Sequence, residues 1–262
     1  MTASTPPQSS LAVESLRFAG RRLVRWRRQP ILPIQALLFP TLLLITYNLL
    51  VGKSILRITG TDSLYGLVPM CALAGAMFGA LGAGVAVTVD RDTGLLTRLW
   101  TLPVRRASAL VGTLLAEAGR TLCAAVLITA VGVALGLRFE GGWFGVIPFL
   151  LVPVLVGVVF ATVVIAIAVR AQDNVLITWI GTGAIGLVFA SSGAAPVEAF
   201  PSWLQPLIHL QPMSPTIESM RAFAQGGPVL WPLMQSFVWI LGVAAVSMPL
   251  AVRGYRAAAE SW

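Results

Sequence analysis

The stretch FGVIPFLLVPVLVGVVFATVVIAIAV, residues 144–169, decides the fold class of this chain of 262 residues. It carries no charged side chain, and it is longer than the ~20 apolar residues that a helix needs to cross a bilayer. Five further apolar stretches lie at about 31–52, 64–89, 107–136, 175–193 and 229–252. The sequence therefore predicts an all-α membrane protein with six transmembrane helices.

The composition agrees with this fold class. Hydrophobic residues make up 57% of the chain and charged residues only 11%, whereas about a quarter of the residues of a soluble domain are charged. The net charge of +8 would suggest a nucleic-acid-binding protein if the chain were soluble. Here the arginines stand at the ends of the apolar stretches, which is the pattern of membrane topology, so we expect no nucleic-acid partner.

The basic residues are divided unequally between the two sides of the membrane that six spans define. Thirteen fall on the side of the N-terminus, and the other side holds only Lys53, Arg57, Arg138 and Arg221. Basic residues accumulate in cytoplasmic loops, so this distribution predicts the orientation of the chain. We expect a multi-pass protein of the cytoplasmic membrane with both termini in the cytosol.

The chain before the first span divides into two segments. Residues 1–10 are polar and are predicted to be a disordered tail, whereas residues 11–29 have helical periodicity. One face of that helix carries Leu16, Ala19, Leu23 and Trp26, and the opposite face carries Arg17, Arg21, Arg25 and Arg28. The helix either lies along an anionic membrane surface or is an ordinary solvated helix; its position directly before a span favours the interfacial interpretation. Residues 30–262 are assigned to the six-span domain.

The segment 194–228, between the fifth and sixth spans, mixes prolines with apolar residues. It is too apolar for a solvated loop and too interrupted by proline for a span. We expect short helices that dip into the outer leaflet, because surrounding protein can satisfy a broken backbone there. The residues assigned to this re-entrant segment are Pro201, Trp203, Pro206, His209 and Pro212.

No motif in the sequence supports catalysis. Gly52-Lys53-Ser54 is similar to the end of a phosphate-binding loop, but the first glycine of that pattern would fall at Tyr47. Ser191, Ser192 and His209 lie near one another in the sequence but lack the context of an activated serine. The two cysteines cannot build a metal cluster. We therefore expect no enzyme activity, and neither cofactor nor metal in this chain.

Glycines recur at the spacing that lets membrane helices approach closely. Gly75 and Gly79 form one G-x-x-x-G pair, and Gly132 and Gly136 form another. The run 79–84 is loosely similar to a dinucleotide-binding fingerprint, but it lies inside an apolar stretch. Helix packing is the favoured interpretation for both pairs.

The third span contains a pair of opposite charges, Glu117 and Arg120, which share a helix face at a spacing of i, i+3. Ionisable groups inside a bilayer are costly, so each such pair is a functional hypothesis. One interpretation is a polar patch near a translocation path or a partner subunit. The other is a mutually neutralising structural pair, and the sequence leaves both open.

The segment DRDTGLLTRLWTLPV, residues 90–104, falls on the cytosolic side and carries the most specific local pattern. An acidic-basic-acidic run leads through a glycine into a short amphipathic helix that ends at Pro103. A minimal loop between two spans would not need such a helix. The pattern favours a docking element for a cytosolic partner over a solvated loop with a membrane-facing tryptophan.

This segment resembles the first cytosolic loop of ABC-2 type permeases, where an acidic-Arg-acidic-x-Gly run leads to Pro-Val and forms the coupling helix. The stretches SLYGLVP (63–69), FPSWLQP (200–206) and GGPVL (226–230) are similar to the permeases of actinobacterial daunorubicin-type and phthiocerol dimycocerosate exporters. Asp90 and Asp92 stand where that family commonly has glutamate. The resemblance covers nearly the whole chain.

The resemblance implies a permease that works with a separate ABC ATPase dimer, which binds ATP and Mg²⁺, and with a second permease subunit, identical or paralogous. The cargo would be a hydrophobic drug or lipid, and the chain would contribute to antibiotic resistance or lipid transport. The alternative is a stand-alone six-span channel or secondary transporter. The residues that the resemblance assigns to ATPase coupling are Asp90, Arg91, Asp92, Thr93, Gly94, Leu95, Arg98, Leu99, Trp100 and Pro103.

Overall fold

The computed structural model describes residues 10–28, 31–59, 62–94, 108–171, 175–193, 197 and 200–260. Every regular element within those ranges is helical, which confirms the predicted fold class. A short 3-10 turn, Trp143–Gly145, precedes the fifth helix. The α-helices are α1 (Leu11–Arg28), α2 (Ile31–Thr59), α3 (Leu64–Asp92), α4 (Ser108–Leu135), α5 (Val146–Ala168), α6 (Val175–Phe189), α7 (Gln205–Leu210), α8 (Met213–Gln225) and α9 (Leu230–Glu260).

Five of the described helices, α2, α3, α4, α5 and α9, are long and apolar enough to cross a membrane. The predicted fifth span is the 15-residue helix α6, which is shorter than the ~20 residues that a full crossing takes. Both α2 and α9 continue past the predicted ends of their apolar stretches. Helical backbone remains favourable there although the side chains become polar, so Lys53 and Arg57 lie on α2 rather than in a loop.

Helix α3 is the centre of the bundle, and it packs against α2, α4, α5, α6 and α8. Its apolar residues Leu67, Met70 and Leu73 are fully buried. Small residues permit the close approach of its neighbours: a Cβ atom on Gly84 would lie 2.3 Å from Cγ1 of Val164 on α5.

The two predicted G-x-x-x-G pairs do pack against neighbouring helices. A Cβ atom on Gly132 of α4 would lie 2.6 Å from Cγ2 of Val68, so this glycine admits α3. A Cβ atom on Gly75 would lie 3.2 Å from Cγ of Pro40 on α2. Gly136 has a φ of +128° and ends α4, which favours glycine over any residue with a side chain.

Helix α1 packs along the first turns of α4, where Gly112 leaves room for the α1 backbone. Glu14, Ser15 and Ala19 are buried, whereas the predicted apolar residues Leu16 and Leu23 are 63% and 53% exposed. The predicted single apolar face is therefore two faces, one against the bundle and one turned outward. Arg17 and Arg21 form a third, exposed face, Trp26 is half-buried, and the side chains of Arg25 and Arg28 lie outside the described residues.

Helices α7 and α8 lie in the segment between α6 and α9, where the sequence predicts short helices. Ile217 and Met220 of α8 are fully buried, so this helix is part of the core. The predicted residues of the segment are mostly at its surface: Pro201, Trp203, Pro206 and His209 are exposed, and Pro212 is half-buried. The depth of this segment in the outer leaflet stays a prediction.

Candidate functional site

The predicted coupling loop leaves the bundle at the end of α3. The hydroxyl of Thr93 donates to the carbonyl oxygen of Val89 at 2.8 Å, and Gly94 follows with a φ of +68°. A glycine in the left-handed conformation is a common way to end a helix. Leu95, Arg98, Leu99, Trp100 and Pro103 lie outside the described residues, so the coupling helix itself stays a prediction.

Asp90 has a partner within its own chain. Nη2 of Arg22 on α1 donates to Oδ2 of Asp90 at 3.2 Å, and the two side chains are only 15% and 14% exposed. Tyr255 of α9 packs into the apolar cluster beside this pair. The contact ties α1 to the end of α3. The predicted pairing of Asp90 with a basic group of an ATPase would have to share the carboxylate with Arg22.

Arg91 holds the end of a different helix. Its Nη1 donates to the carbonyl oxygens of Ala168, Val169 and Ala171, the last at 2.6 Å. The last carbonyls of an α-helix have no partner within the helix, so a guanidinium group at this place satisfies and electrostatically complements the end of α5. Its Nε also donates to Oδ1 of Asp92 at 3.0 Å. Arg91 thus fastens residues 90–94, the root of the loop, to α5.

Asp92 is the acidic group of the loop root that remains accessible. Its side chain is 60% exposed, against 14% for Asp90, and its contact with Arg91 joins neighbouring residues. An exposed ion pair of this kind is worth little, so the carboxylate is available to a partner. The resemblance assigns Asp90, Arg91 and Asp92 alike to ATPase coupling. In the structure, Asp92 faces outward, whereas Asp90 and Arg91 bind other helices of the same chain.

Glu117 and Arg120 form the expected ion pair, and it is buried. Nε of Arg120 donates to Oε2 of Glu117 at 3.1 Å, and the two side chains are 2% and 6% exposed. Nη2 of Arg120 bonds the same carboxylate and also donates to the carbonyl oxygen of Ala76 on α3. The pair therefore joins α4 to α3 inside one chain, an arrangement that suits the structural interpretation. A role near a translocation path stays a prediction.

One nitrogen atom of this cluster takes no part in these hydrogen bonds. Nη1 of Arg120 is buried and has no hydrogen-bond partner among the described residues. The other guanidinium nitrogens face Glu117 and Thr121, which also lies against Gly157 of α5. The cluster thus sits where α3, α4 and α5 meet.

The opposite end of the bundle is held together by polar contacts to the re-entrant segment. Nη2 of Arg221 on α8 donates to the carbonyl oxygen of Ser192 at 2.8 Å, and Nε2 of Gln211 donates to that of Ala190 at 2.9 Å. Burial lowers the pKa of Arg221, and nearby Glu218 opposes this shift. The hydroxyl of Tyr65 donates to Oε1 of Glu140 at 3.2 Å. The first two contacts join α8 and the residue pair before it to the chain that follows α6, and the third joins the α4–α5 connection to the start of α3.

The serine–histidine combination of the sequence does not assemble in the part of the chain that the structure describes. The Ser191 hydroxyl donates to the carbonyl oxygen of Val188, and His209 is exposed on α7 without a bond to either serine. No group of three or more potential metal ligands is found among the described residues.

Comparison with known proteins places the chain among transporters. The sequence profile described as ABC-2 type transporter matches residues 17–223. A probable doxorubicin resistance ABC transporter permease protein, DrrC of Mycobacterium tuberculosis, is 37% identical over 94% of this chain and 89% of its own length. A daunorubicin resistance ABC transporter permease protein, DrrB1 of Streptomyces coeruleorubidus, is 26% identical over 98% and 91%. A putative transport permease, ycf38 of Cyanophora paradoxa, is 28% identical over 83% and 77%.

Proposed function

This chain belongs to the ABC-2 type transporter family, and we propose that it is the permease subunit of an exporter that moves a hydrophobic drug or lipid out of the cytoplasmic membrane. The observation that carries this proposal is the 37% identity, over 94% of the chain, to a permease named for doxorubicin resistance. Near-complete coverage means that the same set of spans and connections is shared, rather than one segment.

The energy source is proposed to be a separate ATPase dimer, which would bind ATP and Mg²⁺. The permease itself is non-catalytic, so its part of the mechanism is mechanical. Asp92 would meet a basic group of the ATPase, and its exposure at the root of the loop supports this role. The loop residues 95–104 would then dock into the ATPase.

The contacts at the loop root determine which helices such docking would move. Arg22 and Asp90 connect the end of α3 to α1, and Arg91 connects it to the end of α5. Helix α5 is in turn joined to α9 by the hydroxyls of Thr162 and Ser247, 2.6 Å apart. Force applied at the loop would therefore move α1, α3, α5 and α9 together, which is the kind of rigid-body rearrangement that opens a transport path.

Two further parts of the proposal concern the assembly. A second permease subunit, identical or paralogous, would complete the pore. Both termini would be cytosolic: Arg17 and Arg21 on the exposed face of α1 lie at the end of the bundle that carries the loop root, where the excess of basic residues is expected.

The experiment that tests the proposal compares energy sources. The chain is co-expressed with an ABC ATPase of its own organism, purified in mild detergent and reconstituted into liposomes with doxorubicin as the probe. We expect the ATPase to co-purify and doxorubicin transport to require hydrolysable ATP, with no transport when only a proton gradient is supplied. Transport by the isolated chain, driven by a gradient and indifferent to ATP, would favour a stand-alone channel or secondary transporter and overturn the proposal.

A further inference from the structure

Helix α9 carries an apolar stripe that ends in an arginine. Val246 and Leu250 are 65% and 42% exposed, and Arg253 is exposed one turn further along the same face. Because residues at spacings of three and four share a helix face, these side chains form one continuous surface. The distance from Val246 to Arg253 along the axis is about 10 Å at 1.5 Å per residue.

A second guanidinium group stands beside the end of this stripe. Nη1 of Arg170, at the end of α5, donates to the carbonyl oxygen of Ala166 at 2.8 Å. The group lies against α9, since a Cβ atom on Gly254 would be 3.0 Å from the same Nη1. Gly254 is the neighbour of Arg253 in the chain, so Arg170 reaches α9 next to the position of Arg253, and both arginines are exposed at this end of α5 and α9.

Among the described residues, the two arginines, Arg170 and Arg253, have no acidic partner. The Asp90 carboxylate at this end of the bundle is already paired with Arg22. The site therefore combines two guanidinium groups that form no ion pair within the described part of the chain with an apolar surface that runs from them toward the middle of the span.

We propose that Arg170 and Arg253 bind the phosphate of an anionic phospholipid, whose acyl chain lies along Val246 and Leu250. Arginine presents a fork of N–H donors that matches phosphate oxygens. A basic pocket between two spans at the membrane surface is the setting in which anionic headgroups bind. The apolar stripe favours a lipid over a soluble anion, because a lipid contacts the guanidinium groups through its phosphate and the apolar side of α9 through its acyl chain.

The proposal is tested on the purified full chain in detergent, with phosphatidylglycerol as the probe and phosphatidylcholine as the neutral comparison. Binding is measured by native mass spectrometry and by titration of a fluorescent phosphatidylglycerol. Each arginine near a headgroup contributes about a fivefold gain in affinity, so the double variant Arg170→Gln, Arg253→Gln is expected to bind about 30-fold more weakly. Arg57→Gln removes an exposed arginine at the far end of α2 and serves as the matched control, because detergent leaves both ends of the bundle equally accessible.

The outcomes separate the possible sources of the phosphate. Wild type and Arg57→Gln should bind phosphatidylglycerol equally and prefer it to phosphatidylcholine. Inorganic phosphate at matched concentration should not displace the lipid, and a Leu250→Ser variant should weaken lipid binding without creating affinity for free phosphate. Equal binding by the double variant, or displacement by inorganic phosphate, would overturn the proposal. Both arginines are exposed, so their replacement should leave the melting temperature unchanged. An unchanged melting temperature then confirms that the variants fold.

Discussion

The guanidinium group of Arg120 lies directly over the backbone of Gly79. A Cβ atom built on Gly79 would be 1.5 Å from Cζ of Arg120, a distance that no two non-bonded atoms can adopt. The absence of a side chain on α3 thus creates the space in which the buried charge pair of α4 lies. Gly79 and the Glu117–Arg120 pair are one structural unit, although 38 or more residues separate them in the sequence.

We predict that Gly79→Ala destabilises the protein. Alanine would favour the helix by up to about 1 kcal/mol, but its methyl group must displace a buried, paired guanidinium, and overpacking of this kind typically costs about 1–3 kcal/mol. The measurement is the midpoint of thermal unfolding in detergent. Gly82→Ala is the matched control, because Gly82 lies on the same helix and a Cβ atom there would have no neighbour within 4 Å; it should leave the midpoint unchanged or raise it.

The ion pair itself makes a second prediction. Glu117→Gln leaves Arg120 charged and buried without a counter-charge, which costs about 3–5 kcal/mol for a buried pair. The double variant Glu117→Gln, Arg120→Met removes both charges and should recover most of that loss. A double-mutant cycle on unfolding midpoints measures the coupling. Additive effects of the two single substitutions would show that the two groups do not stabilise each other.

The spans could be predicted from the sequence because the information is local. An uninterrupted apolar stretch such as 144–169 specifies a membrane helix without reference to the rest of the chain. The pairing of Glu117 with Arg120 was visible for the same reason, since i, i+3 spacing fixes their relative position. The ends of α2 and α9 were missed because polar residues such as Arg57 do not end a helix that continues beyond the apolar stretch.

The contacts at the loop root could not be predicted, because they are not local. In the sequence, Arg22 is one of thirteen basic residues that indicate the orientation of the chain, whereas its partner Asp90 lies 68 residues away. The partners of Arg91 are backbone carbonyls, which leave no trace in residue type. The division of the apolar face of α1 could not be predicted, because the first turns of α4 decide which side of α1 is buried. The spacing of Leu16 and Leu23 alone does not reveal this contact.

The Arg22–Asp90 contact predicts rescue by exchange of charges. Asp90→Arg places two cations together at a largely buried position, so it should lower stability by roughly 1 kcal/mol and weaken ATP-dependent transport. The exchanged variant Arg22→Asp, Asp90→Arg restores an ion pair and should recover both properties. If Asp90 acts only by docking to an ATPase, the exchanged variant will regain stability while transport stays impaired.

The close contact between the start of α3 and the re-entrant segment leads to a prediction about hydrogen exchange. A Cβ atom on Gly66 would lie 2.4 Å from the carbonyl oxygen of Gly193 and 2.9 Å from Nη2 of Arg221. Gly66→Ala should therefore push α8 away from α3 and break the bond from Arg221 to Ser192. Hydrogen exchange should increase in residues 200–225 and remain unchanged in α4. Gly82→Ala again provides the control, and equal exchange in both variants would contradict the expected displacement.

The exposed acidic group at the loop root makes the prediction that bears most directly on function. Asp92→Lys reverses a charge that is 60% exposed and that, among the described residues, pairs with its neighbour Arg91 alone, so the fold should be unaffected. If Asp92 meets a basic group of the ATPase, the reversal opposes like charges across the interface, and doxorubicin transport per ATP hydrolysed should fall several-fold. Glu140→Lys applies the same change of charge at the other end of the bundle, where no ATPase would bind, and should leave that ratio unchanged. Equal transport per ATP in wild type and Asp92→Lys would contradict the proposed docking role of Asp92, whereas an equal fall in both variants would point to a general effect of charge.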